Sequence, residues 1–372
     1  MIFSVERAKL LEAVSRLQRV VSSKSSMPVL EGILISAEQG KITLASYNLE
    51  MGMKKEIYAK CDEEGDIVIN ARLLSDILRR MNSLQVEITA DEKLLCSIRG
   101  GEAVFDIMGM AAMDFPEMPS VADGTKISID SETFSDMVKG TIFAVAQTEG
   151  TRPVLTGIDI SVNEGVLQFV AIDGCRLAIR RQKVELNENI EFIASGRAIG
   201  EAVKLISEET ENIDIVVGKR LISFDIDGYL FISRLLEGEF VNYQKTIPTD
   251  KKQTVIMKTK ELIEIIERVS LLINDFLTSP IRCYFDENEV TFNCTTTMGR
   301  ATEKLAVSLD GDPFEIGMNS RLLLEALKAI DEPLVKILFN GPNVGVVLCQ
   351  TEEDKNDYIY MVMPMRLKNG RD

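Results

Sequence analysis

One segment of this chain occurs three times, and that repetition constrains the fold more than any other feature. Pro28-Val29-Leu30-Glu31-Gly32-Ile33-Leu34-Ile35-Ser36 returns as Pro153-Val154-Leu155-Thr156-Gly157-Ile158-Asp159-Ile160-Ser161. A weaker copy opens at Pro280-Ile281-Arg282, so the prolines stand 125 and 127 residues apart. A second marker keeps the same step. Asn70-Ala71-Arg72-Leu73-Leu74 matches Asn319-Ser320-Arg321-Leu322-Leu323, with Ser195-Gly196-Arg197 between them, and these arginines are 125 and 124 residues apart. A period this long exceeds that of solenoid repeats, so each copy is expected to be a whole domain. The 372 residues then divide as 1–124, 125–250 and 251–372.

Each copy has its own rhythm. In the first, Leu10, Val14, Leu17 and Val21 recur at helical spacing, which predicts a helix over 6–22. Apolar or alternating runs predict strands at 29–36, 41–47, 52–59 and 66–69. Asn70 is a suitable N-cap for a second helix over 71–81, and strands follow at 85–89, 93–98 and 103–108. Helices are expected near 131–147, 197–206, 259–272 and 320–330, with Ser195 and Asn319 at the cap positions. The pattern is α+β, two helices per domain packed on antiparallel sheet.

Residue usage excludes a good deal of chemistry. The chain has no histidine, so no imidazole can activate a nucleophile, act as a base or ligate a metal. Its six cysteines are dispersed without a Cys-x-x-Cys pair, which signals neither zinc nor a redox dithiol; most read as small core residues. No phosphate loop or dinucleotide fingerprint is present. Arg99-Gly100-Gly101-Glu102 reads as a turn between strands, and Ser195 lacks a partner base. Acidic runs such as Asp62-Glu63-Glu64 and Glu352-Glu353-Asp354 lack calcium-loop spacing, and Asp173 reads as a cap on a glycine turn. No catalytic residue, cofactor or metal is expected. The N-terminal segment has no apolar signal core and no stretch is long enough to span a membrane, so a cytoplasmic protein is expected.

The net charge of −16 argues at first against a nucleic-acid partner. Its distribution argues otherwise. The six expected helices together carry +4, which leaves −20 for strands and loops. One helix-lined surface could meet a polyanion while the rest repels it.

Several segments then resemble one family. Phe169-Val170-Ala171-Ile172-Asp173-Gly174-Cys175-Arg176-Leu177-Ala178 is similar to the middle-domain strand-turn-strand of the bacterial DNA polymerase III β subunits, the sliding clamps. Met363-Pro364-Met365-Arg366-Leu367 resembles that family's terminal motif, and Phe3-Ser4-Val5-Glu6-Arg7 and Pro28-Val29-Leu30 resemble its first domain. With the three repeats, the resemblance covers the whole chain. It implies three domains of the DNA-clamp type, closing into a ring as a head-to-tail homodimer whose helices line the hole. The implied function is non-enzymatic. The ring encircles double-stranded DNA without sequence specificity and tethers the DNA polymerase III catalytic subunit and other clamp-motif proteins as a processivity factor. A separate clamp-loader complex would open it. A scaffold of the same fold that has lost DNA loading is the alternative; a carboxylate-only enzyme lacks any supporting motif.

The resemblance also implies sites. Lys24, Arg72, Arg79, Arg80 and Arg197 would face DNA phosphates. A pocket for partner peptides would use Arg152, Leu155, Gly174, Cys175, Arg176 and Leu177, then Val241, Lys245 and Thr246. Met361, Val362, Met363, Pro364, Met365 and Arg366 would complete it. Its Leu, Val and Met side chains suit an adaptable cleft, with Arg152, Arg176 and Arg366 as polar anchors. Phe105 and Ile107 would meet Leu272 and Ile273 across the dimer contact. Two positions depart from the family: Cys175 replaces a usual histidine and Ile172 a frequent small hydroxyl residue, and both make the pocket more apolar.

Overall fold

The computed structural model describes residues 1–22, 24–147, 152–186, 188–273, 279–352 and 355–367. Strands dominate, and each repeat carries two helices. The first repeat contains β1 (Ile2–Glu6), β2 (Gly32–Glu38), β3 (Lys41–Tyr47), β4 (Met51–Tyr58), β5 (Lys60–Glu63), β6 (Gly65–Asn70), β7 (Gln85–Ala90), β8 (Leu95–Gly100) and β9 (Ala103–Met108). The second contains β10 (Thr125–Asp130), β11 (Gly157–Asn163), β12 (Val166–Ile172), β13 (Arg176–Lys183), β14 (Ile190–Ser195), β15 (Asn212–Val217), β16 (Leu221–Ile226) and β17 (Tyr229–Arg234). The third contains β18 (Gln253–Lys258), β19 (Ile281–Phe285), β20 (Glu289–Thr296), β21 (Gly299–Ala306), β22 (Leu309–Asp310), β23 (Phe314–Met318), β24 (Leu334–Phe339), β25 (Val346–Cys349) and β26 (Tyr358–Val362). The helices are α1 (Arg7–Leu17), α2 (Ala71–Arg80), α3 (Ser131–Lys139), α4 (Gly196–Val203), α5 (Thr259–Val269) and α6 (Ser320–Lys328).

Local chemistry accounts for several boundaries. Asn70 Oδ1 accepts from Leu73 N at 3.0 Å and Asn319 Oδ1 from Leu322 N at 3.2 Å, so both expected N-caps form. All six helices are shorter than the apolar spacing suggests. α1 stops at Leu17, and α3 and α5 end ahead of separate 3-10 turns at Ile142–Ala144 and Ser270–Leu272. The expected strand at 29–36 begins instead as a 3-10 turn, Pro28–Glu31, because Pro28 pre-sets a helical φ and has no N–H to give a ladder. Residues 2–6, for which no strand was expected, form β1: Phe3 and Val5 alternate into the core.

The repeated glycine follows from packing. A Cβ on Gly32 would lie 2.4 Å from Val68 Cγ1 and 3.0 Å from Ile69 O. On Gly157 it would lie 2.7 Å from Ala194 O and 2.6 Å from Leu236 Cδ1. At both places the neighbouring strand's backbone closes the space a side chain would need.

The chain divides into two compact units, Met1–Phe134 with Arg197–Leu235, and Ser135–Gly196 with Leu236–Asp372. The first unit holds a five-stranded sheet, order β5-β1-β7-β8-β9, and an eight-stranded sheet, order β10-β15-β16-β17-β4-β3-β2-β6. Its core is lined by Leu10, Val14 and Leu17 of α1 and Leu74, Ile77 and Leu78 of α2. The second unit holds a nine-stranded sheet, order β14-β11-β12-β13-β26-β25-β24-β18-β22, and a four-stranded sheet, order β21-β20-β19-β23. Every named strand pair is antiparallel.

The order of strands repeats with the sequence. In the first unit β17, the last strand of the second repeat, pairs with β4 of the first: Tyr229 lies opposite Lys55 and Phe231 opposite Met53. In the second unit β26, the last strand of the third repeat, pairs in the same way with β13 of the second: Tyr358 lies opposite Arg180 and Leu177 opposite Met361. The corresponding strands β9 and β21 are both sheet edges.

Candidate nucleic-acid interface and partner pocket

The cations come first. Arg72, Arg79 and Arg80 lie on α2, Arg197 on α4, and Lys24 on the stretch after α1, and all five side chains are exposed. Among the described residues none of the five makes an ion pair. Arg79 only approaches Ser75 Oγ, on its own helix, at 3.5 Å. Other helix cations are engaged by acids, as Arg268 is by Glu303 at 2.5 Å and Lys328 by Glu267 at 2.6 Å. Exposed, unpaired arginines near the C-terminal end of α2 leave a positive field open to an external anion.

The turn from β12 to β13 builds the pocket. Asp173 Oδ1 accepts from the backbone N–H groups of Cys175, at 2.9 Å, and Arg176, at 3.0 Å, which makes Asp173 the cap of this turn. Gly174 has φ +89°, the left-handed conformation that glycine adopts without penalty. Leu177 then enters β13 and is buried, while Cys175 stays exposed as a free thiol. Met363 N donates to Cys175 O at 2.8 Å, tying the C-terminal segment to the turn. Met365 N donates to Gly317 O at 2.8 Å and holds the same segment against β23.

Below the turn lies one apolar cluster, made of Val170, Leu177, Ile179, Tyr243, Leu338, Val347 and Met361. Ile172, Phe240 and Ile247 are among the half-buried residues packed on it. Tyr243 is pinned: its hydroxyl accepts from Gln168 Nε2 at 3.0 Å, and Gln168 Oε1 accepts from Arg181 Nε at 2.7 Å. Thr246 Oγ1 donates to Tyr243 O at 2.6 Å, so the segment carrying Val241, Lys245 and Thr246 turns over the cluster with Lys245 exposed.

The structure therefore brings Cys175, Leu177, Met361 and Met363 together around one face of the nine-stranded sheet. Val362 is buried in β26, opposite Arg176. Pro364 and Met365 are half-buried and Arg366 is exposed. Arg152, exposed, precedes the 3-10 turn Pro153–Thr156, which carries half-buried Leu155; its Val154 would meet a Cβ on Gly238 at 3.2 Å. Arg176, expected as a polar anchor, is buried at the base of the turn. Its side chain is 3 % exposed, bonded to Asp173 Oδ2 at 2.9 Å and to Glu325, so it is consumed in shaping the turn.

Sequence reading did not single out Tyr243, Leu338, Val347 or Glu325, whose roles depend on contacts distant in the chain. It also missed Asp159. This carboxylate lies on β11 opposite Val170, 6 % exposed, and its Oδ1 has no hydrogen-bond partner among the described residues. Burial, with a smaller contribution from Glu191, pushes its pKa up to about 6. The repeat itself carried the signal, since the first copy has Leu34 at this place.

The edge strands complete the picture. On β9 Val104, Phe105 and Met108 are exposed and Ile107 is half-buried. Leu272 and Ile273, both half-buried, close the 3-10 turn after α5, and Leu272 Cδ1 lies 4.0 Å from a Cβ built on Gly299, the first residue of β21. Among the described residues no group of His, Cys, Asp or Glu could hold a metal ion, and no helix is long and apolar enough to cross a membrane.

Comparison with known proteins agrees over the whole chain. Models of the DNA polymerase III beta subunit match in order: the N-terminal domain at residues 1–119, the central domain at 128–242 and the C-terminal domain at 244–366. The beta sliding clamp of Halalkalibacterium halodurans is 29% identical over 381 residues, covering 98% of this chain and 99% of that one. The crystal structure of the Bacillus subtilis sliding clamp superposes with a TM-score of 0.93 at 25% identity, over 99% of this chain and 100% of that one. A Pseudomonas aeruginosa sliding clamp, solved bound to griselimycin, gives 0.89 at 27% identity, over 99% and 100%. With three repeats, their strand order and all three family domains in agreement, this chain belongs to the DNA polymerase III beta subunit family, the sliding clamps.

Proposed function

We propose that two copies of this chain close head to tail around duplex DNA and tether the replicative polymerase to it. One observation carries the reading. Twice the last strand of a repeat pairs with the third strand after the Pro-Val-Leu segment of the preceding repeat, β17 with β4 and β26 with β13. The third pair of that series would be β9 with β21, and each of these strands ends its sheet with one side unpaired. A second copy supplies each with its partner, and a contact of this heterologous kind that closes gives a ring. Phe105 and Ile107 on β9, and Leu272 and Ile273 beside β21, then form the apolar centre of the contact.

Lys24, Arg72, Arg79, Arg80 and Arg197 are the cations that support DNA contact. Their exposure and lack of acidic partners suit weak, sequence-independent phosphate contacts, which permit sliding. The cluster around Leu177 and Met361 supports a docking pocket for peptides of the DNA polymerase III catalytic subunit, the clamp loader and other clamp-binding proteins. The chain performs no chemistry in this reading, and the loader supplies the work of opening.

The test is topological. Once loaded, the protein should remain on closed circular duplex and be lost when that circle is cut. Equal loss from circle and linear DNA sinks the ring, and a mass that stays monomeric through micromolar concentrations does so independently.

A further inference from the structure

Arg176 is held by two acids from different elements. Asp173 belongs to its own turn, whereas Glu325 stands on α6. The guanidinium also lies 5.7 Å from the centre of the Phe143 ring. A buried guanidinium is tolerated only while it is paired. Removing Glu325 leaves Arg176 short of a partner, and the cheapest relief is to swing it outward. That motion breaks the bond to Asp173 and loosens the turn that carries Gly174 and Cys175 and receives Met363 N.

Glu325 is itself shared. Its other oxygen faces Arg321 Nε at 3.5 Å, and the Arg321 side chain is 73% exposed. One carboxylate thus divides its charge between a solvent-facing arginine on α6 and the buried arginine of the pocket turn. An anion arriving at Arg321 takes over that arginine and leaves Glu325 to Arg176.

We propose that Glu325 is a positioning residue for partner docking, and that a phosphate seated on Arg321 tightens the pocket turn through it. This rests on the clamp reading, in which α6 faces DNA and the Leu177–Met361 cluster receives the polymerase. Coupling of this type is reciprocal, so a docked partner would also strengthen the phosphate contact.

The probe is the labelled DNA polymerase III catalytic subunit, titrated against the full-length dimer with and without a short DNA duplex at low salt. Wild-type affinity should rise about fivefold when the duplex is present. Glu325→Gln, which keeps shape and loses charge, should weaken docking about tenfold and remove the response to DNA, with dimer mass unchanged. Arg321→Ala, at an exposed position that leaves folding intact, frees Glu325 for Arg176 and should raise docking without DNA to the level the duplex gives the wild type, with no further response to DNA. Wild-type docking and a wild-type response in Glu325→Gln overturn the inference, as does a full response in Arg321→Ala. Met363→Glu separates the two levels. If it leaves polymerase binding intact, the pocket reading itself has failed; if it abolishes binding while Glu325→Gln is silent, only the inference has.

Discussion

At the residue scale, Asp159 shows how one carboxylate can burden a fold. Its pKa, raised to about 6, means that the native state holds a proton which the unfolded chain, near 3.8, has released. Between those two values stability falls as pH rises, and the full penalty applies above about pH 6. Asp159→Asn should therefore stabilise the protein at pH 7.5 by up to about 3 kcal/mol, the free-energy worth of a carboxyl raised from 3.8 to about 6. Thermal unfolding at several pH values reads this directly. The advantage should shrink towards pH 4, and a gain independent of pH would mean that the charge is not the cause. Cys283 shows burial acting on a thiol: its pKa is pushed up to about 12, mainly by desolvation, in keeping with an inert core role. Residue types made these cysteines legible as core. They could not reveal that Arg176 turns inward, because that depends on Glu325, far away in the chain.

At the element scale, the short-range signals were read well and the long-range ones poorly. The Asn70 and Asn319 caps are local chemistry, visible three residues ahead of the N–H they serve. Asn70→Ala should cost about 1 kcal/mol, measured as a lower denaturation midpoint, while Asn70→Ser should cost little. The strands β3 and β9 lie where alternation predicts them, at 41–47 and 103–108. By contrast β1 was hidden, since Ile2 to Glu6 runs without a break into α1, and its partners β5 and β7 begin more than fifty residues later. The repeated glycine was conspicuous in sequence, yet its reason emerged only with the neighbouring carbonyls in place. Gly157→Ala should destabilise by about 1–3 kcal/mol through overpacking against Ala194 O, whereas Gly174→Ala should act through φ alone and cost less. Comparing the two unfolding midpoints separates crowding from conformational strain.

At the scale of the whole molecule, charge and edges decide. Binding of short duplex DNA should weaken with salt, and the double substitution Arg79→Glu with Arg80→Glu should flatten the log–log slope by about 1–2, roughly one for each phosphate no longer neutralised. An unchanged slope would reject these arginines as phosphate ligands. Phe105→Glu should shift the dimer towards monomer, because it places a charge at the centre of the proposed apolar seam; sedimentation across micromolar concentrations reads the shift. The three-domain plan was legible because the repeat is written in the sequence. The pairing of one repeat's last strand with the preceding repeat's fourth strand was not, since register across about 180 residues leaves no local mark.

That pairing has a consequence for any fragment of this chain. A piece ending at residue 124 keeps the complete first repeat but loses β17, and β4 is left with a bare row of N–H and C=O groups. A piece comprising the second repeat alone bares β13 and β17 together. Bare edges of this kind recruit any strand they meet. The repeat written in the sequence is thus not a unit expected to stay soluble alone, and either fragment should aggregate under conditions where the whole chain does not.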